Sequence, residues 1–189
     1  MIEQLLDYDT ELFLFLNNLG SQTWDNLWLV ITDKLTFIPL YAVLLFLLYK
    51  KYGLKSLLIF VVVVALMITF TDQITNVFKR GFQRPRPCGE ADLIDQMRFI
   101  AVRCGKYGFF SGHSSNSMAV AVFAGLLLRP YYKNLIFILL FWSAVVAYSR
   151  IYVGVHYPLD IVCGLAFGAI SGWLFYKLSQ LLLKRFVKT

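Results

Sequence analysis

Ser149-Arg150-Ile151-Tyr152-Val153-Gly154-Val155-His156-Tyr157-Pro158-Leu159-Asp160 lies between two apolar runs, one ending near residue 149 and the next beginning at 158. Runs of that length exceed what a small soluble core needs, so the stretch reads as a polar turn between two membrane helices. Arg150 is a fixed cation whose planar fork suits a phosphate. His156 is a candidate nucleophile or acid–base group, and Asp160, four residues on, is spaced to fix its tautomer. Pro158 fits the first position of a helix, which puts His156 just before that helix and Asp160 in its first turn. A plainer reading of the same residues has Asp160 capping the helix and His156 resting at the lipid–water boundary.

Composition carries the membrane reading to the whole chain. Hydrophobic residues make up 59% of the 189 and charged residues 15%, the balance of an all-α, multi-span bundle in one domain covering 1–189. The formal charge of +7 is spread along the chain and forms no single soluble patch, so the expected partners are the bilayer and a phosphorylated lipid, not nucleic acid. Residues 3–19 mix four acids with a Leu/Phe face and predict an amphipathic helix in the interface. Trp24 and Trp28 suit an interfacial aromatic belt. Met1 to Leu6 has no basic segment of the kind that opens a cleavable signal. Five spans are expected, at about 27–49, 54–78, 114–128, 134–149 and 158–183, with one long polar loop at 80–112.

With five spans, Lys50, Lys51, Lys55, Arg129, Lys133, Lys177, Lys184, Arg185 and Lys188 fall on one side without an acid among them. The positive-inside rule makes that side cytoplasmic. The N-terminus, the long loop, Arg150 and His156 then share the outer face. Cys88 and Cys104 lie in that outer loop, where a disulfide can form; two free thiols is the alternative. Cys163 sits in an apolar span as a small buried side chain.

Two further polar stretches reach the same face. Lys79-Arg80-Gly81-Phe82-Gln83-Arg84-Pro85-Arg86-Pro87 gathers cations that repel one another unless an anion sits among them, or that hold lipid headgroups. Phe109-Phe110-Ser111-Gly112-His113-Ser114-Ser115-Asn116 opens an apolar helix. Free N–H groups at such a helix start face an anion, and Gly112 lets the backbone come close. His113 is placed to give a proton to a leaving oxygen. The chain holds only two histidines, and both lie in these polar junctions. Asp72, two turns before Lys79 on one helix face, is an acid within a span and a candidate support for the cations, or a plain packing hydrogen bond.

Together the three stretches resemble the type 2 phosphatidic acid phosphatase superfamily. Its first motif is a lysine, six residues and Arg-Pro, matched by Lys79 and Arg86-Pro87. Its second is Pro-Ser-Gly-His, matched by Ser111-Gly112-His113 with Phe110 in place of proline. Its third is Ser-Arg, five residues, His, three residues and Asp, matched in full by Ser149-Arg150, His156 and Asp160. The resemblance covers about 50–180. The doubled Arg-Pro leaves the register open: spacing selects Arg86, with Arg84 as a second phosphate or headgroup contact.

The resemblance implies a lipid phosphatase in a bacterial inner membrane, its site facing the periplasm. His156 would attack phosphorus to give a phosphohistidine, Asp160 would orient it, and His113 would protonate the leaving oxygen. Lys79, Arg86, Arg150, Ser111 and Gly112 would hold the phosphoryl oxygens. No cofactor or metal is expected, since the sequence has no carboxylate cluster spaced for Mg²⁺ and no Cys/His set for zinc. Substrates in the family include undecaprenyl pyrophosphate, lipid A phosphates, phosphatidylglycerol phosphate and phosphatidic acid. The cysteine-containing loop leading into Lys106-Tyr107-Gly108-Phe109 resembles the lipid A members. A competing reading is a non-catalytic protein that binds or translocates phospholipid through the same anion site.

Overall fold

The structure is a computed structural model that describes residues 2–187; Lys188, one of the nine cations above, lies outside them. Its helices are α1 (Ile2–Asn18), α2 (Gln22–Thr32), α3 (Ile38–Phe82), α4 (Ala91–Ile94), α5 (Gly112–Leu128), α6 (Leu135–Tyr152) and α7 (Pro158–Phe186), with short 3₁₀ turns at Lys34–Phe37 and Pro87–Gly89. Among the described residues, three stretches are long and apolar enough to cross a membrane: Lys34–Phe82, Leu135–Tyr152 and Pro158–Phe186. α5 has 17 residues and lies buried against α3, α6 and α7.

α3 is two helices joined at Gly53, where φ is +75°. Tyr41 and Ile68 line one cavity, although in a straight helix they would stand about 40 Å apart. The arms before and after Gly53 therefore run back along each other. The expected start of the first span at residue 27 needs correction. Asp33 ends α2 and its carboxylate accepts the Leu35 N–H at 3.0 Å, so the first arm of α3 begins only at Ile38. Trp28 stacks on Tyr152 at the end of α6 with centroids 4.9 Å apart.

Hydrocarbon offers no hydrophobic drive for one helix to meet another, so close backbone contact and polar links must hold the bundle. α7 supplies the contact through Gly164, Gly168 and Gly172, one per turn on one face. A Cβ at 164 would lie 2.7 Å from the Ser111 carbonyl oxygen, one at 172 would lie 2.5 Å from that of Ala119, and one at 168 would strike that of Ser115. The Ser117 and Ser143 hydroxyls, 2.9 Å apart, link α5 to α6. Outward faces keep large apolar side chains such as Phe141 and Ile138 exposed, as lipid contact requires.

The glycine seam sets the height of α5 against α7, and with it the distance between the second and third motifs. Gly168→Ala should lower thermal stability in detergent by roughly 1–3 kcal/mol, because a methyl must displace backbone. Gly81→Ala, in a helix with open space around it, should leave stability unchanged or raise it by about 0.5–1 kcal/mol. Equal melting temperatures for Gly168→Ala and wild type would contradict the seam.

Candidate active site

The third motif is a turn that the sequence can make in one way. α6 ends at Tyr152, and the Val155 N–H returns to the Arg150 carbonyl at 3.0 Å. Gly154 has φ +83°, and a Cβ there would lie 2.6 Å from the Arg98 carbonyl oxygen, so only glycine fits. Pro158 then opens α7, with Tyr157 as its N-cap. The Asp160 carboxylate, fully buried, reaches back to accept the Tyr157 N–H at 3.2 Å. The same oxygen, Oδ2, lies 3.1 Å from His156 Nδ1. With the Nδ1 proton held there, the other ring nitrogen, Nε2, carries the lone pair.

The second motif opens α5. Ser111 is the N-cap, its hydroxyl oxygen accepting the Ser114 N–H at 3.4 Å, while its own N–H donates to the Asp160 carbonyl at 3.0 Å. The Ser111 hydroxyl oxygen also accepts from Ser114 Oγ at 3.0 Å, and Ser111 is not among the residues that line the cavity described below. Its role in the geometry is to fix α5 to the start of α7. Gly112 follows, and a Cβ on it would come 3.9 Å from Lys79 Nζ.

The first motif divides between two duties. Lys79 is in the last turn of α3, and Asp72, Thr75 and Asn76 share its helix face by spacing. Arg86 lies beyond the helix and donates through Nε to the Tyr107 carbonyl at 3.0 Å. Cys88 and Cys104 form a disulfide with Cα atoms 5.9 Å apart, closing the loop that brings Gly105 against the Arg86 guanidinium. Arg84 faces the other way. It pairs with Asp160 Oδ1 at 3.2 Å and Asp9 Oδ2 at 2.6 Å and lies over the Tyr157 ring at 4.0 Å. The register left open in the sequence is thereby divided: Arg86 lines the cavity and Arg84 holds the carboxylate behind it.

The cavity, about 270 Å³, is lined by Lys79, Arg86, Gly112, His113, Arg150 and His156, joined by Lys34, Asp72, Thr75, Asn76 and Asn116. Four cations and the start of a helix surround it, an arrangement suited to a phosphate group. Arg150 donates to the Thr32 hydroxyl. Asp72 accepts from Asn116 at 2.8 Å, and Asn116 accepts from Thr71 at 2.6 Å, so Asp72 links α3 to α5, and it also edges the cavity. A second cavity of about 360 Å³ shares Lys34, Asp72, His113 and Asn116 and continues between Phe37, Tyr41, Ile68, Val120 and Trp142.

Lys34 is the residue that sequence reasoning missed. It falls inside the first expected span, about 27–49, and the rule that makes Asp72 a candidate applies to it equally. Thr32, Thr75 and Asn76 carry no distinguishing signal in the sequence; their neighbours in space define them.

Burial, reinforced first by the charge of Arg86, holds the His156 imidazole well below its ordinary range. A lowered value favours the neutral ring. In protein carrying isotope-labelled histidine, assigned with a His113→Asn variant, the NMR protonation midpoint of His156 should lie below that of an unperturbed histidine. A midpoint at or above about 6.5 would contradict this electrostatic environment.

The pattern of the PAP2 superfamily matches residues 56–184. The lipid A 4'-phosphatase of Bacteroides thetaiotaomicron is 39% identical over 188 residues, 98% of this chain and 83% of that protein. The lipid A 4'-phosphatase of Porphyromonas gingivalis is 37% identical over 180 residues, 93% and 75% of the two chains. Among solved structures, the first transmembrane PAP2 type phosphatidylglycerolphosphate phosphatase from Bacillus subtilis aligns with a TM-score of 0.75 over 94% of this chain and 87% of that one. At 18% identity that likeness is one of fold. A pattern match running from the second arm of α3 to the end of α7, over well more than half of the sequence, makes this chain a member of the PAP2 superfamily.

Proposed function

We propose that this protein is an integral-membrane lipid phosphatase that removes the 4'-phosphate of lipid A through a phosphohistidine on His156. The observation that carries the phosphatase reading is the junction of the two cavities. A cation-lined chamber with both histidines adjoins an apolar one and shares His113 and Lys34 with it, an arrangement that suits a phosphate on a hydrocarbon-bearing molecule. The choice among lipid phosphates rests on the two relatives of that name, matched over nearly the whole chain.

The chemistry proceeds in two displacements. His156 Nε2 gives its lone pair to phosphorus as the bond to the lipid oxygen breaks, and His113 protonates that departing oxygen. Asp160 keeps the Nδ1 proton in place and balances the positive charge that the ring acquires. His113, now neutral, takes a proton from water as the water oxygen attacks phosphorus. The N–P bond breaks, its electrons return to Nε2, and inorganic phosphate departs. Lys34, Lys79, Arg86, Arg150 and the N–H groups at the start of α5 stabilise the charge spread over the phosphoryl oxygens. Most of the rate enhancement in phosphoryl transfer comes from such positioning and charge.

Purified protein in detergent, given bisphosphorylated lipid A, undecaprenyl pyrophosphate, phosphatidylglycerol phosphate and phosphatidic acid, should release phosphate with the highest kcat/KM from the lipid A 4'-position. Equal or higher kcat/KM on another lipid would replace the substrate. Lipid binding without phosphate release would replace catalysis with binding or translocation. His156→Ala should lose at least about 10³-fold in kcat while still binding lipid; an active variant would sink the phosphohistidine.

The proposed topology has five crossings in a bacterial inner membrane, counting the two arms of α3, with the cavity facing the periplasm. Lys51 lies 4.9 Å over the Tyr131 ring, so the α3 turn and the α5–α6 turn share one end of the bundle. That end carries Lys50, Lys51, Lys55, Arg129 and Lys133, and the positive-inside rule makes it cytoplasmic. On intact cells, single cysteines at 8, 95 and 107 in a cysteine-free background should react with an impermeant reagent. Cysteines at 51, 132 and 187 should react only after lysis. Labelling of 51 from outside would reverse the orientation.

A further inference from the structure

α1 lies before the residues that the family pattern covers; Leu14 and Leu16 pack partly buried against the bundle, but its fully buried face is largely polar. Its buried stripe is Asp9, Phe13 and Asn17, one residue per turn, while Leu5, Leu12 and Phe15 face outward. Asn17 anchors the far end, its amide donating to the Ile151 and Tyr152 carbonyls at 2.9 and 3.0 Å. Phe13 packs edge-on against Tyr157 with centroids 5.4 Å apart.

Asp9 is a carboxylate with 6% of its surface exposed, and the reaction as described makes no use of it. Its Oδ1 accepts the Leu159 N–H at 2.8 Å, satisfying a free donor in the first turn of α7. Its Oδ2 accepts Arg84 Nη2 at 2.6 Å. The other arm of Arg84, Nη1, donates to Asp160 Oδ1 at 3.2 Å, and Asp160 Oδ2 meets His156 Nδ1. A continuous chain of four polar groups therefore runs from the N-terminal helix to the nucleophile.

We propose that Asp9 is a positioning residue for catalysis, acting through Arg84 and Asp160 on His156; this rests on the reading of His156 as nucleophile. The physical reason is competition for one carboxylate. Arg84 can take both oxygens of Asp160 in a bidentate pair, the geometry its fork prefers. That pairing would draw Oδ2 away from His156 Nδ1 and free the imidazole to turn. Asp9 occupies one arm of the guanidinium and neutralises it, so Arg84 meets Asp160 by a single arm and Oδ2 stays with the histidine. The hold of α1 on the α7 N–H fixes where Asp9 stands. The N-terminal helix is on this account part of the catalytic apparatus.

The test uses full-length Asp9→Asn, Asp9→Ser, Arg84→Gln and the Asp9→Asn/Arg84→Gln double variant, with exposed Asp7→Asn as control. Phosphate release gives kcat and KM, and competition by inorganic phosphate reports the cavity itself. Both Asp9 variants keep a side-chain oxygen able to accept and remove the negative charge that faces Arg84. They should lower kcat about 10–100-fold, with KM and phosphate affinity within about twofold of wild type. The double variant should fall no further than Arg84→Gln alone, because the two act in series. Asp7→Asn should match wild type. Wild-type kcat in the Asp9 variants overturns the proposal, as does a parallel loss of phosphate affinity or an additive double variant. If neither Asp9 variant folds, Asp9 is a folding residue and the proposal fails. The His156→Ala result separates this from the mechanism it rests on: an active His156→Ala removes the nucleophile, whereas an inactive one with wild-type Asp9→Asn removes only the relay.

Discussion

A carboxylate with no exposed surface must be answered on every side, and Asp160 is answered by three parts of the chain. His156 and the Tyr157 N–H come from the turn before α7, Arg84 from the loop after α3, and Gly108, in the strap before α5, stands so close that a Cβ on it would lie 2.8 Å from Oδ2. An unpaired charge in such a place costs several kcal/mol or more, so each of these neighbours is held as firmly as the carboxylate needs them. Satisfying one buried anion therefore assembles the site. It fixes the histidine tautomer, carries the long loop back over the helices, and puts the start of α5 beside the start of α7.

The glycine seam works with that constraint. Gly164, Gly168 and Gly172 bring the backbones of α5 and α7 together along three turns. Rotation or sliding of α5 would separate His113 from His156, and the seam resists both. The cations arrive on different supports: Lys79 on the end of α3, Arg86 on a loop tied by the 88–104 disulfide, Arg150 on the last turn of α6 and Lys34 on the 3₁₀ turn. Like charges gathered from separate elements repel, and the packing that holds them was set elsewhere. This is a way to hold a cation-lined cavity in shape through the packing around it.

The legible parts of the fold were those with local causes. Pro158 and the Ser111–Gly112 pair mark helix starts by their own chemistry, and both helices begin there. The run after residue 54 reads as one long apolar helix because nothing in it breaks the pattern. The run before it misled, because Asp33 and Lys34 sit within apolar neighbours and only the capping of the 3₁₀ turn reveals a break. Acids near the N-terminus argued for an exposed amphipathic face. Of these, Asp9 turned inward, since a partner distant in sequence, Arg84, was waiting for it.

The sequence by itself determined which groups are chemically able to act. An arginine, a histidine and an aspartate at fixed spacing in a turn, a glycine and histidine at a helix start, and a lysine and arginine around a helix end are written in the chain. Their spacing within each stretch is local, so it survives any arrangement of the helices. Only the tertiary structure decided which of them face one cavity and which stand behind it. Arg84 and Arg86 differ by two residues and have the same chemistry; backbone direction and the placement of Asp9 and Asp160 give one to the carboxylate and the other to the cavity. Lys34 and Asp9 belong to the site region because α2, α1 and the α3 arms fold over it. Contacts over separations of 75 residues and more, as between Asp9 and Arg84, depend on the packing of every helix between them.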